Sequence, residues 1–233
     1  MRTEIDRTPL FCGVPEPISA TDISQQWSNR SILAAAKLNG LKLELPPFEY
    51  GVTTKTPEYR AKFPRGKAPA FESASRGFRL AESGAIAHYV SASGPRAAQL
   101  LGSSPEEQGR IHEWIYWNEL ELGPVLIDLI QWRLGTASYE SAKEEAAAVA
   151  LERHLAHLEE SLKGRTWLVD EQSGPSLADL TVGSAILFAC RFYIDREMQE
   201  GIPHTMVYLR RLGEVDGLEE LFTINMIEKR KHA

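Results

Sequence analysis

Residues 63–89 read FPRGKAPAFESASRGFRLAESGAIAHY. Their turn residues predict a strand that ends at Ala68-Pro69, a second strand at Gly77–Leu80 and a helix that opens at Glu82-Ser83. A proline at the start of a strand has no N–H to donate to the hydrogen bonds between strands, and the peptide bond before it is sometimes cis. A helix start offers free N–H groups and a positive dipole end. These junctions suit a small zwitterion, with main-chain pairing at Ala68, its carboxylate at Ser83 and its ammonium at Glu82. A plain helix cap is the alternative for Glu82-Ser83.

The first third of the chain alternates helices and strands. An alanine-rich helix is predicted at Asn29–Asn39, a half-buried strand at Leu41–Leu45 and a short helix at Pro57–Lys62. The first strand is either Leu10-Phe11-Cys12 or Asp22-Ile23-Ser24. This order of elements is that of a thioredoxin-like domain.

The rest of the chain is helical in pattern. Residues 94–104 are rich in turn residues and predict a linker, and Ser104-Pro105 is a strong helix start. That helix has a probable kink at Gly123-Pro124, and a second long helix is predicted at Glu140–Leu162. Ser176-Leu177-Ala178-Asp179 forms a reciprocal capping box that opens a third, buried helix. The apolar stripe of the second helix consists of Val149, Leu151, Leu155, Leu158 and Leu162.

Composition and charge argue against several functional classes. With 233 residues, 43% hydrophobic and 25% charged, the chain is long enough for two small globular domains. A net charge of −6 argues against a nucleic-acid or anionic-membrane surface. No apolar run approaches a membrane span, and two cysteines without a disulfide framework favour a reducing cytoplasm. The six histidines show no metal-binding spacing, so we predict no metal site.

The order of these motifs resembles a known superfamily. Ala68-Pro69 followed by Glu82-Ser83-Gly84-Ala85-Ile86 resembles the glutathione site of the glutathione transferases. The fuller string from Thr56 to Glu72 looks most like the transferase-like domain of elongation factor 1-gamma, with fungal transferases as the next branch. The resemblance implies an α+β, thioredoxin-like domain at residues 1–93, a linker at 94–104 and an all-α helical domain at 105–233, which together form the glutathione transferase fold.

The resemblance implies glutathione as the bound cosubstrate. Glu82 would accept the γ-glutamyl ammonium, Ser83 the adjacent carboxylate, and Ala68, beside Pro69, would pair with the cysteinyl main chain. Such a charge-assisted bond contributes about 1.5–3 kcal/mol. Lys55 and Lys67 are candidates for the glycyl carboxylate, and a solvated surface role explains each of them equally well.

The group that activates the thiol stays open. A free thiol has a pKa near 8.5, and lowering it by about two units requires about 2.7 kcal/mol. The superfamily supplies this where the first strand meets the first helix, which implies Ser28, Asn29 or Arg30. Ser28 or Asn29 is explained equally by a helix cap. Pro9–Gln26, with three prolines, departs from the usual first strand, and Cys12 there is better explained as an apolar filler than as a nucleophile.

A hydrophobic electrophile would bind between the domains, near His112 and Tyr116, although core or dimer-interface packing explains each of these residues better. The resemblance allows three functions. The first is a transferase that adds glutathione to the electrophile, including as a step in a biosynthetic pathway. The second is a glutathione-dependent cis–trans isomerase, and the third is a non-catalytic interaction domain like that of elongation factor 1-gamma. The chain ends at Ala233 without the further domain of that factor, which favours the enzyme. A homodimer is also implied by the superfamily.

Overall fold

The computed structural model describes residues 8–11, 27–49, 51–73, 77–170 and 173–231. The amino-terminal part contains a four-stranded sheet with strand order β2-β1-β3-β4, in which β1 pairs parallel with β2 and antiparallel with β3. Strands β3 and β4 form an antiparallel pair. The predicted α+β, thioredoxin-like architecture is confirmed. Its elements are β1 (Thr8–Phe11), α1 (Trp27–Leu38), β2 (Leu43–Glu44), α2 (Pro57–Lys62), β3 (Ala70–Glu72), β4 (Arg79–Ala81) and α3 (Ser83–Ala92).

The strand boundaries differ from the predicted ones. The prediction that a strand ends at Ala68-Pro69 was wrong, because β3 begins after Pro69, which lacks the N–H that a ladder needs. Of the two candidates for the first strand, the structure has one that overlaps Leu10-Phe11. Cys12 and most of Pro9–Gln26 lie outside the described residues.

The carboxy-terminal part is helical, as predicted. The segment predicted as a linker contains the short helix α4, and the expected kink near Gly123-Pro124 is a π-helical turn, Asn118–Leu122, hereafter the π-turn. Val149, predicted on an apolar stripe, is 60% exposed. The helices are α4 (Ala97–Leu101), α5 (Pro105–Trp117), α6 (Gly123–Ile130), α7 (Ser141–Leu162), α8 (Leu177–Phe192), α9 (Arg196–Glu200) and α10 (Pro203–Glu214).

Helix α8 forms the centre of the helical part, and the predicted capping box is present at its start. Asp179 accepts hydrogen bonds from the Ser176 N–H (2.8 Å), the Ser176 hydroxyl (2.6 Å) and the Leu168 N–H (2.8 Å). Cys190, predicted in the core, is fully buried, and burial raises the pKa of its thiol to about 12. Such a thiol is not a nucleophile at neutral pH.

Helix α1 joins the two parts of the molecule because it packs on α8. Arg30 Nη1 donates to the Ser184 carbonyl oxygen at 3.0 Å, and the Trp27 ring meets the Phe188 ring edge to face at 5.1 Å. Aromatic pairs of this geometry stabilise a contact beyond their buried area. The start of α1 is therefore held between the sheet and the helical part. None of the described helices combines the length and apolarity that a bilayer-spanning segment needs.

Candidate functional site

A cavity of about 390 Å³ lies where the sheet meets the starts of α1 and α3 and the π-turn. Six of the residues predicted from the sequence line it together: Ser28, Lys67, Ala68, Pro69, Glu82 and Ser83. The peptide bond between Ala68 and Pro69 is cis. The two junctions of the opening stretch thus face one space, although they are separated by the β3–β4 hairpin.

The other five predicted residues, which include His112 and Tyr116, do not line this cavity. Asn29 and Arg30 are buried in α1, and the Arg30 guanidinium is directed to the Ser184 carbonyl. Burial, with a smaller effect of the Arg191 charge, lowers the pKa of Arg30 to about 10. Lys55 ends a short 3₁₀ turn, Thr53–Lys55, away from the cavity. Of the candidates at the start of α1, the structure therefore brings Ser28 alone into contact with this space.

His112 and Tyr116 lie on α5 and do not line the 390 Å³ cavity. Their rings stack on each other, and His112 also stacks on His88 of α3, with centroids 6.0 Å apart in both pairs. Tyr116 is 58% exposed and lines a second cavity of about 560 Å³ between α5 and α7, with Trp114 and Trp117 in its wall.

Glu82 has an unusual backbone. Its φ of 73° lies in the left-handed region, which is costly for a residue with a long side chain and is typical of functional sites. The Glu82 side chain makes no capping hydrogen bond to α3 and forms an ion pair with Arg65. A cap therefore does not account for this carboxylate, while Ser83 and the first N–H groups of α3 face the cavity as anion donors.

The opposite side of the cavity is basic. Lys62 and Arg79 both bind Glu72, with distances of 2.6 Å and 2.9 Å. Burial opposes ionisation of Glu72, but these two hydrogen bonds prevail and lower its pKa. Lys67, whose carbonyl accepts a hydrogen bond from Tyr59, forms no ion pair with any described residue. Its charge is available to a carboxylate in the cavity.

Three residues that line this cavity, Trp27, Arg65 and Glu119, were not predicted as part of the glutathione site. Arg65 stands two residues before Lys67 in the quoted stretch, but nothing local marks it as the partner of Glu82. Glu119 reaches the cavity from the π-turn, which has no sequence signature. Trp27 lines the cavity and contacts Phe188, whose ring meets the Phe192 ring edge to face at 5.0 Å. Phe188 belongs to the apolar run of α8, which the sequence indicates only as core. Within the described ranges, no three His, Cys, Asp or Glu side chains converge as metal ligands would.

Comparisons with known proteins agree with this geometry. The family model for the glutathione S-transferase N-terminal domain matches residues 22–92, and the C-terminal domain model matches residues 122–214. The glutathione S-transferase-like protein LUC7 of a Fusarium species is 43% identical over 203 residues, which cover 86% of this chain and 91% of that protein. Elongation factor 1-gamma of Rattus norvegicus is 32% identical over 185 residues, which cover 78% of this chain and 40% of that protein.

Among solved structures, the chain is similar to the glutathione transferase URE2P6 of Phanerochaete chrysosporium in complex with oxidized glutathione. The TM-score is 0.79 at 18% identity, and the match covers 93% of this chain and 95% of that one. At this identity the likeness shows the fold.

Proposed function

The chain belongs to the glutathione S-transferase family, and we propose that it binds glutathione as the thiolate and adds it to a hydrophobic electrophile. The observation that carries this proposal is the charge layout of the 390 Å³ cavity. Glutathione carries one ammonium and two carboxylates. The cavity offers the Glu82 carboxylate for the ammonium, the start of α3 with Ser83 for the adjacent carboxylate, and Lys67 for the glycyl carboxylate.

The position of Ser28 supports a catalytic role beyond binding. Its side chain lines the cavity at the first turn of α1, where the helix dipole and the hydroxyl both favour an anion. A thiolate there would have Trp27 beside it, and Trp27 connects through Phe188 to Phe192. This aromatic surface suits an apolar electrophile held next to the sulfur. We therefore assign the hydrophobic substrate to the Trp27 side of the cleft, and no longer to His112 and Tyr116.

The test is the thiol pKa of bound glutathione, read from thiolate absorbance across a pH titration. We expect the wild-type protein to lower it by about two units from its ordinary value, and Ser28→Ala to raise it again by at least about one unit. Ser141→Ala is the matched control, because Ser141 also lies in the first turn of a helix but is exposed and far from the cavity. An unchanged pKa in Ser28→Ala would remove Ser28 from this role.

A non-catalytic interaction domain is the second candidate, because elongation factor 1-gamma is 32% identical to this chain. The same titration separates the two functions. A scaffold has no reason to stabilise a thiolate, so an unshifted thiol pKa in the wild-type complex would favour the scaffold. Calorimetry should first establish whether the wild-type protein binds glutathione. Absence of binding would exclude the transferase.

We also propose a homodimer that uses the outer face of α5 and the π-turn that follows it. The support is the exposed apolar surface there, with Leu120 at 72% and Tyr116 at 58% exposure beside the second cavity. Light scattering after gel filtration should give a dimer mass for the wild type and a monomer mass for Leu120→Asp. Val149→Asp is the control, because Val149 is similarly exposed at 60% and does not line that cavity. A wild-type monomer, or a dimer unaffected by Leu120→Asp, would contradict this arrangement.

A further inference from the structure

The π-turn sends neighbouring residues to opposite faces of the helical part. Glu119 lines the 390 Å³ cavity, whereas Leu120 and Glu121 line the second cavity between α5 and α7. A π-turn interrupts the regular α-helical rotation and often re-aims side chains at functional sites. Glu119 is thereby the acidic residue that the helical part contributes to a cavity built mainly by the thioredoxin-like part.

Two carboxylates face the same space from the two parts of the molecule. Glu82 is paired with Arg65, while Glu119 has no ion-pair partner among the described residues. Glu119 is exposed to solvent, yet the cleft around its carboxyl group desolvates it, and this effect together with the charge of Glu82 raises the pKa of Glu119. Two carboxylates that line one cavity, of which only Glu82 has a described ion-pair partner, favour the binding of a further cation. The other ionisable groups that line the cavity are Lys62, Arg65, Lys67 and Arg79.

We propose that Glu119 is the second carboxylate of the ammonium site, so that the γ-glutamyl ammonium of glutathione is held between one carboxylate from each part of the molecule. The inference rests on the proposed function, since it takes glutathione as the ligand. It differs from the sequence-based assignment, in which Glu82 holds the ammonium by itself. Binding then bridges the sheet and the helical part directly.

A consequence is that binding releases a proton. An ammonium beside Glu119 lowers the pKa of this carboxyl group below its raised value in the free protein. Between the two values, the free protein holds a proton that the complex does not. The affinity for glutathione therefore rises with pH through the pKa of free Glu119 and levels off above it.

The experiment is calorimetry of wild type, Glu119→Gln and Glu121→Gln with two ligands, glutathione and its analogue without the α-amino group. We expect Glu119→Gln to weaken glutathione binding about 10-fold and to leave the affinity for the analogue unchanged. Glu121→Gln should change neither, because its side chain lines the second cavity. The measurement is repeated at a series of pH values below neutrality, in two buffers of different ionisation enthalpy. There, wild-type binding should release protons, and this release should vanish in Glu119→Gln.

The outcomes that overturn the inference are distinct from those that overturn the proposed function. If the wild-type protein does not bind glutathione, both fail together. If it binds and Glu119→Gln binds equally well, the proposed function stands and the role of Glu119 is refuted. An equal loss for both ligands would also refute it, because a structural role does not depend on the α-amino group.

Discussion

Replacing Glu82 with alanine is expected to weaken glutathione binding by about 10- to 100-fold, which corresponds to a charge-assisted bond of about 1.5–3 kcal/mol. The substitution removes the counter-charge of the ammonium and leaves Arg65 without its partner. An unpaired guanidinium next to the ammonium position repels the ligand, so the loss should lie toward the upper end of this range. Glu82→Gln keeps the shape and one acceptor oxygen, and should lose less.

Calorimetry measures this effect, and Glu113→Ala is the matched control. Glu113 and Arg110 form an ion pair whose side chains are 60% and 68% exposed, close to the 62% of both Glu82 and Arg65. Glu113 lies on α5 and does not line the 390 Å³ cavity. Its removal should leave glutathione affinity unchanged, because exposed pairs contribute little by themselves. Equal affinities for wild type and Glu82→Ala would place the ammonium elsewhere.

Helix starts were predictable because their physics is local. Ser104 accepts a hydrogen bond from the Glu107 N–H at 3.2 Å. Asp179 accepts hydrogen bonds from the N–H and the hydroxyl of Ser176. The sequence indicates both of these helix starts. The strand limits were less accurate. The start of β3 depends on its pairing with β1, in which Leu10 lies opposite Phe71. Because this contact is long-range, the sequence of residues 63–72 does not indicate it.

The five residues predicted within residues 63–89 line one cavity. They fall within one continuous stretch, so their order and spacing indicate that they belong together. The rotation of α1 about its axis decides which side chain faces the cavity: Ser28, Asn29 or Arg30. Helix α8 sets that rotation through its contacts at Ser184 and Phe188. Those contacts join residues more than 150 positions apart in the chain. The place of Glu119 in the cavity was not predicted for a related reason, since the pattern of a regular helix through residues 105–130 does not indicate a π-turn.

Replacing Asp179 with alanine is expected to destabilise the protein by about 3–5 kcal/mol. The side chain is fully buried and accepts three hydrogen bonds, and its loss leaves the Ser176 and Leu168 donors without partners in a dry environment. Unsatisfied buried donors cost about 1–3 kcal/mol each, and a lost cap adds about 1 kcal/mol. For a chain of this size the melting temperature should fall by roughly 10 °C.

Urea and thermal unfolding, followed by circular dichroism, measure this loss. Asp128→Ala is the control, because Asp128 bonds Lys143 at 3.1 Å in a solvent-exposed pair that should contribute little to stability. Asp179→Asn should give an intermediate loss, since an amide keeps one acceptor but turns its NH₂ toward another donor. A loss below about 1 kcal/mol in Asp179→Ala would contradict the structural role of this residue.

The Asp179 substitution also separates folding from chemistry. Helix α8 holds the start of α1 through Ser184 and Phe188, so a weakened α8 lowers the population in which Ser28 faces the cavity. Molecules that remain folded keep every group of the cavity. The thiol pKa of bound glutathione should therefore be the same in Asp179→Ala and in wild type, while the amount of complex falls with the folded fraction. The reverse is expected for Ser28→Ala, in which stability is retained and the thiol pKa changes.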